Sequence, residues 1–77
     1  MATPIAKKLA KRIQELRKKR GLTQEEAAKK CGIKYKYFQE HESKNPRDLR
    51  LSTMEKIAEG LDVEIADLFQ WIRTVFL

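Results

Sequence analysis

The chain has 77 residues, 42% of them hydrophobic and 36% charged, which leaves room for one small domain with a modest core. Lysine and arginine total 17 against 11 acids, and 15 of these basic side chains fall within residues 1–50. The length excludes a catalytic domain joined to a regulatory one, and the charge predicts that residues 1–50 attract polyanions. A solvated lysine-rich surface that only maintains solubility is the alternative interpretation of the charge.

Other features of the composition argue against several classes of protein. Cys31 is the single cysteine, so no intramolecular disulfide is expected, and no histidine or thiol cluster has metal-ligand spacing. No serine-histidine-acid set, phosphate-binding glycine loop or catalytic pair of carboxylates stands out. Neither a secretory signal nor a run of about 18 apolar residues occurs. We therefore expect a cytoplasmic protein that is not an enzyme, needs no cofactor and does not enter a membrane.

The first predicted element is a helix that begins at Thr3-Pro4, a capping residue followed by proline at the first helical position. Its apolar residues recur at helical spacing, with basic residues on the other faces. These apolar residues are Ile5, Leu9, Ile13 and Leu16. Gly21 provides the left-handed residue that ends a helix.

A capping box formed by Thr23 and Glu26 predicts that a second helix begins at about Gln24. The side of this helix that faces the core carries only small residues, namely Ala27, Ala28 and Cys31. Such residues let another helix approach closely, and Gly32 then turns the chain without steric strain.

A third helix is predicted to start at Lys34 or Tyr35 and to run to Glu42. It buries Phe38, and His41 follows one turn later on the same side. Two short helices joined by a tight turn leave the second helix protruding, and the major groove of B-DNA is wide enough to accept it.

Ser52 and Glu55 form a second capping box, which predicts that a fourth helix begins at this point. The inward-facing residues of this helix are Met54, Ile57, Ala58 and Leu61. A fifth helix is predicted at about residues 65–77, with Ile65, Leu68 and Phe69 completing the core. The predicted fold is all-α, a compact five-helix bundle in which residues 1–77 form a single helix-turn-helix domain.

The end of the fifth predicted helix carries more apolar surface than one small domain can bury. The residues in excess are Trp71, Ile72, Val75 and Phe76. Exposed apolar surface of this kind is commonly covered by a second subunit. The sequence therefore predicts a twofold homodimer formed through residues 65–77, with these four residues at the interface.

Residues 13–69 carry a spaced signature that resembles the XRE-type helix-turn-helix domain of phage repressors, Cro proteins, restriction-modification controller proteins and many antitoxins. The matching residues are Leu16-Arg17, Gly21-Leu22-Thr23-Gln24, Ala28, Gly32-Ile33, Phe38, Glu42, Asn45-Pro46, Leu51, Ile57-Ala58, Leu61, Val63 and Leu68-Phe69. The chain departs from this pattern at Ala27, Cys31 and His41, where the family usually has leucine or another apolar residue. It also has Asp62 where the family commonly has glycine, with Gly60 two residues earlier.

The start of the third helix is predicted to reach base edges, because this end of a recognition helix projects deepest into the major groove. The candidate base-reading residues are Lys34, Tyr35, Lys36, Gln39 and Glu40. Lysine donates to guanine, and a tyrosine ring packs against the thymine methyl group. The alternative for Lys34 and Lys36 is that they contact only phosphate and read no base. Glu40 either accepts from a cytosine amino group, pairs with a neighbouring lysine or points to solvent.

A second group of residues is predicted to bind DNA phosphates without reading sequence. Its members are Gln24, Tyr37, Lys44, Asn45 and Arg47. Gln24 stands at the start of a helix, where backbone N–H groups favour an anion, and the resemblance implies the same role for it and for Tyr37. The resemblance also implies a partly buried ion pair between Arg17 and Glu42.

These features together predict a homodimeric, sequence-specific transcriptional regulator that binds palindromic double-stranded DNA and represses transcription by occupying a promoter. One alternative is an antitoxin, whose apolar tail or first helix also binds a toxin. Another is a basic interaction module that docks on an acidic protein or a membrane surface and binds no DNA.

Overall fold

The computed structural model describes residues 3–70. Within this range the chain forms four α-helices and a short 3-10 helix, and it contains no strand. The elements are α1 Pro4–Lys19, α2 Gln24–Cys31, α3 Tyr35–His41, α4 Leu51–Gly60 and the 3-10 helix Ile65–Phe69. The all-α helix-turn-helix fold is confirmed.

The prediction of five α-helices is wrong for the described residues, because the fifth element is a 3-10 helix of five residues. At its start the N–H of Asp67 donates to the carbonyl oxygen of Glu64 at 2.9 Å, which is the tighter bonding pattern of this helix type. The Asp67 carboxylate accepts in turn from the N–H of Glu64 at 3.0 Å. The remainder of the predicted fifth helix, residues 71–77, lies outside the described residues.

The core lies where α1, α2, α3, α4 and the 3-10 helix meet. The largest fully buried side chains are Phe38, Ile13, Ile57, Leu61 and Leu68. Ile65 was predicted to complete this core, but it is 43% exposed, and Ile5, the first apolar residue of α1, is 58% exposed. Both residues lie in the first turn of their elements. The first core residues of these elements, Leu9 and Leu68, follow about one turn later.

Three predicted helix boundaries are confirmed by backbone geometry and hydrogen bonds. Thr3 Oγ1 accepts from the N–H of Ala6 at 3.1 Å, and Thr23 and Glu26 form a reciprocal capping box before α2. Gly21, which follows the C-cap residue Arg20 of α1, has a φ of +69°. Left-handed backbone of this kind favours glycine because other residues carry a Cβ that clashes there.

The predicted capping box at the start of α4 is wrong. Arg50 is the residue that precedes the helix, and its carbonyl oxygen accepts from the N–H groups of Thr53 and Met54, both at 3.0 Å. Ser52 therefore lies inside the first turn and does not cap it. Leu49 and Met54 both pack against the core, and this packing overrides the local preference of Ser52 for the capping position.

Two residues at the end of α4, Asp62 and Gly60, have different structural roles. Asp62 has a φ of +57°, so it occupies a left-handed position of the kind that favours glycine. Gly60 instead lies against α2, since a Cβ added to it would be 2.4 Å from Cys31 Sγ. The small residues of α2 and Gly60 of α4 thus allow these two helices to approach closely.

We expect Asp62→Gly to raise the free energy of unfolding by about 0.5–1 kcal/mol, because glycine adopts the left-handed backbone without a steric cost. The lost carboxylate contributes little, since it is 93% exposed and 3.8 Å from Arg20. Thermal unfolding followed by circular dichroism measures the change. Asp62→Ala is the control, because it keeps the strained backbone and should not stabilise the protein.

Candidate nucleic-acid interface

The surface of α3 divides into a buried side and an exposed side. Phe38 is fully buried, whereas Tyr35 is 43% and Tyr37 is 40% exposed. The other predicted base-reading residues at this end, Lys34, Lys36 and Gln39, are also exposed. The Lys36 ammonium lies 5.8 Å from the centre of the Tyr37 ring, within the range of a cation–π contact. The exposed side of α3 therefore offers cations, aromatic rings and an amide to a partner.

A nearly buried ion pair joins α1 to the end of α3. Arg17 Nε lies 2.7 Å from Glu42 Oε2, and the two side chains are 10% and 1% exposed. Arg17 Nη2 also donates to Glu42 Oε1 at 3.1 Å, and Nη1 donates to the carbonyl oxygen of Leu22 at 2.7 Å. This bidentate contact fixes the orientation of α3 relative to the rest of the bundle.

Gln24, a predicted phosphate ligand, belongs to the same network. Its side chain is half-buried, and Nε2 donates to Glu42 Oε1 at 3.0 Å. An amide nitrogen has two N–H groups, so this bond leaves one for another acceptor. The structure therefore gives Gln24 a contact with Glu42 that the sequence analysis did not predict.

Glu40 and Arg47 form an ion pair at the other edge of α3. Arg47 Nε lies 3.0 Å from Glu40 Oε2. Pairing with a neighbouring lysine was one of the predicted alternatives for Glu40, but its partner is an arginine of the following loop. Arg47 was predicted as a phosphate ligand, and its side chain remains 71% exposed. Lys44 and Asn45 were also predicted as phosphate ligands. They lie in the same loop and are exposed, so both are accessible to a phosphate.

An open cleft lies between α3, this loop and the first turns of α4. Its basic and hydroxyl-bearing lining residues are Lys34, Tyr37, Arg47, Arg50, Thr53 and Lys56. The last three were not among the predicted ligands. One sequence feature could have indicated Arg50 as a ligand. It is a cation that immediately precedes a helix, where a positive charge is unfavourable, and no side chain caps this helix.

Burial shifts the pKa values of two titratable side chains, His41 of α3 and Cys31 of the core. Burial lowers the pKa of His41, while Glu40 acts to raise it and Arg47 to lower it, so the neutral imidazole is favoured. Burial raises the pKa of the Cys31 thiol to about 11. A protonated thiol is unreactive, and Cys31 is best described as a small core residue.

Two further observations concern the described residues alone. Within residues 3–70, no helix combines the length and apolar character needed to cross a bilayer. The same range contains no group of three or more histidine, cysteine, aspartate or glutamate residues suited to hold a metal ion. The predicted dimer residues Trp71, Ile72, Val75 and Phe76 lie outside the described residues.

Comparison with known proteins identifies the family. The helix-turn-helix family model matches residues 13–68. The restriction-modification controller protein C.AhdI from Aeromonas hydrophila is 34% identical, with a TM-score of 0.78 over 83% of this chain and 96% of that chain. Wild-type controller protein C.Esp1396I is 28% identical, with a TM-score of 0.83 over 97% of this chain and 99% of that chain.

C.Esp1396I bound to a 19 base pair DNA duplex has the same TM-score of 0.83, also at 28% identity and over the same shares of the two chains. No curated protein sequence matches the chain. The family match covers well over half of the chain, and the two controller proteins share its fold along most of their length. The chain therefore belongs to the XRE-type helix-turn-helix family of DNA-binding transcription regulators.

Proposed function

We propose that this chain is a sequence-specific regulator of the restriction-modification controller type, which binds palindromic operator DNA as a homodimer and represses transcription by occupying a promoter. The observation that carries the proposal is the exposed side of α3, whose helix is fixed from behind by buried Phe38 and by the Arg17–Glu42 pair. A rigid helix with exposed polar side chains suits the major groove.

Base recognition in this proposal falls to the first turn of α3 and to Gln39. Lys34 and Lys36 donate to guanine, Tyr35 packs against a thymine methyl group, and Gln39 pairs with adenine. All four are exposed, so none has to leave the core to reach a base. Glu40 is not assigned to a base, because its carboxylate pairs with Arg47.

Phosphate binding involves residues on both sides of α3. Gln24 holds one phosphate with the N–H that Glu42 leaves available, and Tyr37, Lys44, Asn45 and Arg47 follow the DNA backbone. Arg50 and Lys56, which line the cleft beside Tyr37, extend this track. These contacts fix the register of the protein on DNA.

Dimerisation is proposed to use residues 65–77, including Trp71, Ile72, Val75 and Phe76. Ile65, which is 43% exposed, supports an apolar surface at the described start of this segment. A symmetric dimer places two recognition helices about 34–36 Å apart, one turn of DNA. The 19 base pair duplex bound by C.Esp1396I is long enough for two half-sites at that spacing.

Selection of bound duplexes from a random DNA pool tests this function. We expect an inverted repeat whose half-site centres lie one helical turn apart. If each subunit neutralises about six phosphates, log K falls against log salt with a slope of about −5 per subunit. No enrichment at moderate salt would contradict DNA binding, whereas an unrepeated site would contradict the dimer.

A pair of double variants with the same charge change locates the interface. We expect Lys34→Ala with Lys36→Ala to weaken operator binding by about tenfold or more, because it removes contacts at the groove. Lys7→Ala with Lys11→Ala, on the exposed side of α1, should have a much smaller effect. Equal losses would indicate that only overall charge matters.

A further inference from the structure

Glu40 places a negative charge on the helix that is proposed to enter DNA. A carboxylate at this position repels phosphate, so its presence weakens binding unless it has a compensating role. Its side chain is 33% exposed, and its Oε2 atom lies 3.0 Å from Arg47 Nε. The ion pair therefore stands at the edge of the proposed interface.

The loop that follows α3, residues 42–50, contacts Glu40 at two points. At the start of the loop, Ser43 Oγ and the N–H of Ser43 donate to the carbonyl oxygen of Glu40, at 2.7 Å and 3.1 Å. Pro46 is buried, which anchors the middle of the loop. Arg47 then returns to the Glu40 carboxylate. Glu40 thus contacts the beginning of the loop through its main chain and the middle of the loop through its side chain.

The contact with Glu40 is an ion pair on the Nε side of the Arg47 guanidinium, and it includes no directed hydrogen bond to Glu40 Oε2. Arginine presents five N–H donors in a planar fork, and the carboxylate lies next to Nε. The two Nη groups are left for a second anion, and the side chain is 71% exposed. An arginine held in this way suits bidentate binding of a phosphate group.

We propose that Glu40 is a positioning residue, whose carboxylate holds Arg47 in the orientation in which the guanidinium meets a DNA phosphate, and that Glu40 reads no base. The inference rests on the proposed DNA-binding function. Holding a long side chain in its bound orientation reduces the ordering cost of association. The same carboxylate repels DNA that does not engage Arg47, so it favours the correctly docked complex over non-specific binding.

Affinity measurements on two duplexes distinguish positioning from charge. Wild type, Glu40→Gln, Arg47→Gln and the double variant are titrated with the selected operator and with an unrelated duplex of equal length, at several salt concentrations. Loss of a negative charge alone tightens binding to both duplexes. If Glu40 positions Arg47, the change in operator affinity has the opposite sign, and Glu40→Gln binds the operator about 3–10-fold more weakly than wild type. The slope of log K against log salt is then smaller in magnitude by about 0.9. The unrelated duplex is bound equally or more tightly.

Glu59→Gln is the control, because it removes the same charge from an exposed position in the second half of α4. It should bind the operator at least as tightly as wild type. Because the Arg47 side chain is 71% exposed, its pairing with Glu40 contributes little to folding, so circular dichroism should show each variant folded at the assay temperature. Arg47→Gln tests the same contact from its other partner.

Two further results would support the inference. The double variant should bind the operator within about twofold of Arg47→Gln alone, and Glu40→Gln should select the same consensus sequence as wild type. Unchanged or tighter operator binding by Glu40→Gln, additive losses in the double variant, or a changed base preference at one position would overturn it. If wild type binds no duplex at all, the proposed function itself fails, which is a separate result from a failure confined to Glu40→Gln.

Discussion

Replacing Arg17 with alanine should lower the free energy of unfolding by about 3–5 kcal/mol, because it leaves the charge of Glu42 buried without its main partner. The Glu42 side chain is 1% exposed, so water cannot replace the guanidinium. The Gln24 amide still donates to Glu42, but an amide does not neutralise a carboxylate. Chemical denaturation followed by circular dichroism measures the loss. The apparent affinity for DNA should fall in proportion to the fraction of protein that remains folded.

Arg20→Ala is the matched control for Arg17→Ala. Arg20 directly follows α1, and its ion-pair partner Asp62 is 93% exposed, so its loss should cost less than about 1 kcal/mol. The double variant Arg17→Met with Glu42→Leu removes both charges and should recover much of the stability lost by Arg17→Ala. Wild-type stability in Arg17→Ala would show that the pair does not hold α3 in place.

Gly60→Ala should also destabilise the protein, by about 1–3 kcal/mol, although an alanine normally stabilises a helix relative to glycine. The new Cβ would lie 2.4 Å from Cys31 Sγ and 2.7 Å from both Cα and N of Cys31. Backbone atoms cannot move aside as a flexible side chain can, so α4 has to shift away from α2. Thermal unfolding measures the effect.

Two controls separate this steric effect from backbone strain. Cys31→Ala combined with Gly60→Ala removes the Sγ contact but keeps both 2.7 Å backbone contacts, so it should not restore stability. Gly32→Ala meets no atom within 4 Å, but has a φ of +67°, so its cost of about 1 kcal/mol is conformational. A rise in stability for Gly60→Ala would contradict the close approach of α2 and α4.

Helix ends were predictable where one residue decides them locally. Gly21 and Gly32 have the positive φ values that only glycine adopts easily, and the Thr23–Glu26 box satisfies its own backbone groups. The start of α4 was mispredicted because Ser52 has a capping preference that the packing of Leu49 and Met54 overrides. A local signal fails where the core fixes the position of the chain.

The candidate interface was predictable as a set of exposed residues but not as a set of contacts. The buried position of Phe38 dictates which side of α3 faces outward, and helical spacing reveals this from sequence. The hydrogen bond from Gln24 to Glu42 and the ion pair of Arg47 with Glu40 join residues that are 18 and 7 positions apart. Such pairs depend on how α2 and the loop pack against α3, which no local pattern specifies.

Titration of the isotope-labelled protein with its selected operator, followed through backbone amide chemical shifts, tests most directly whether the exposed side of α3 binds DNA. We expect the largest changes at residues 34–39 and at the start of α2, with smaller ones in the loop that carries Arg47 and little change along the exposed side of α1. Changes centred on the lysines of α1, with α3 unaffected, would contradict the proposed mode of binding.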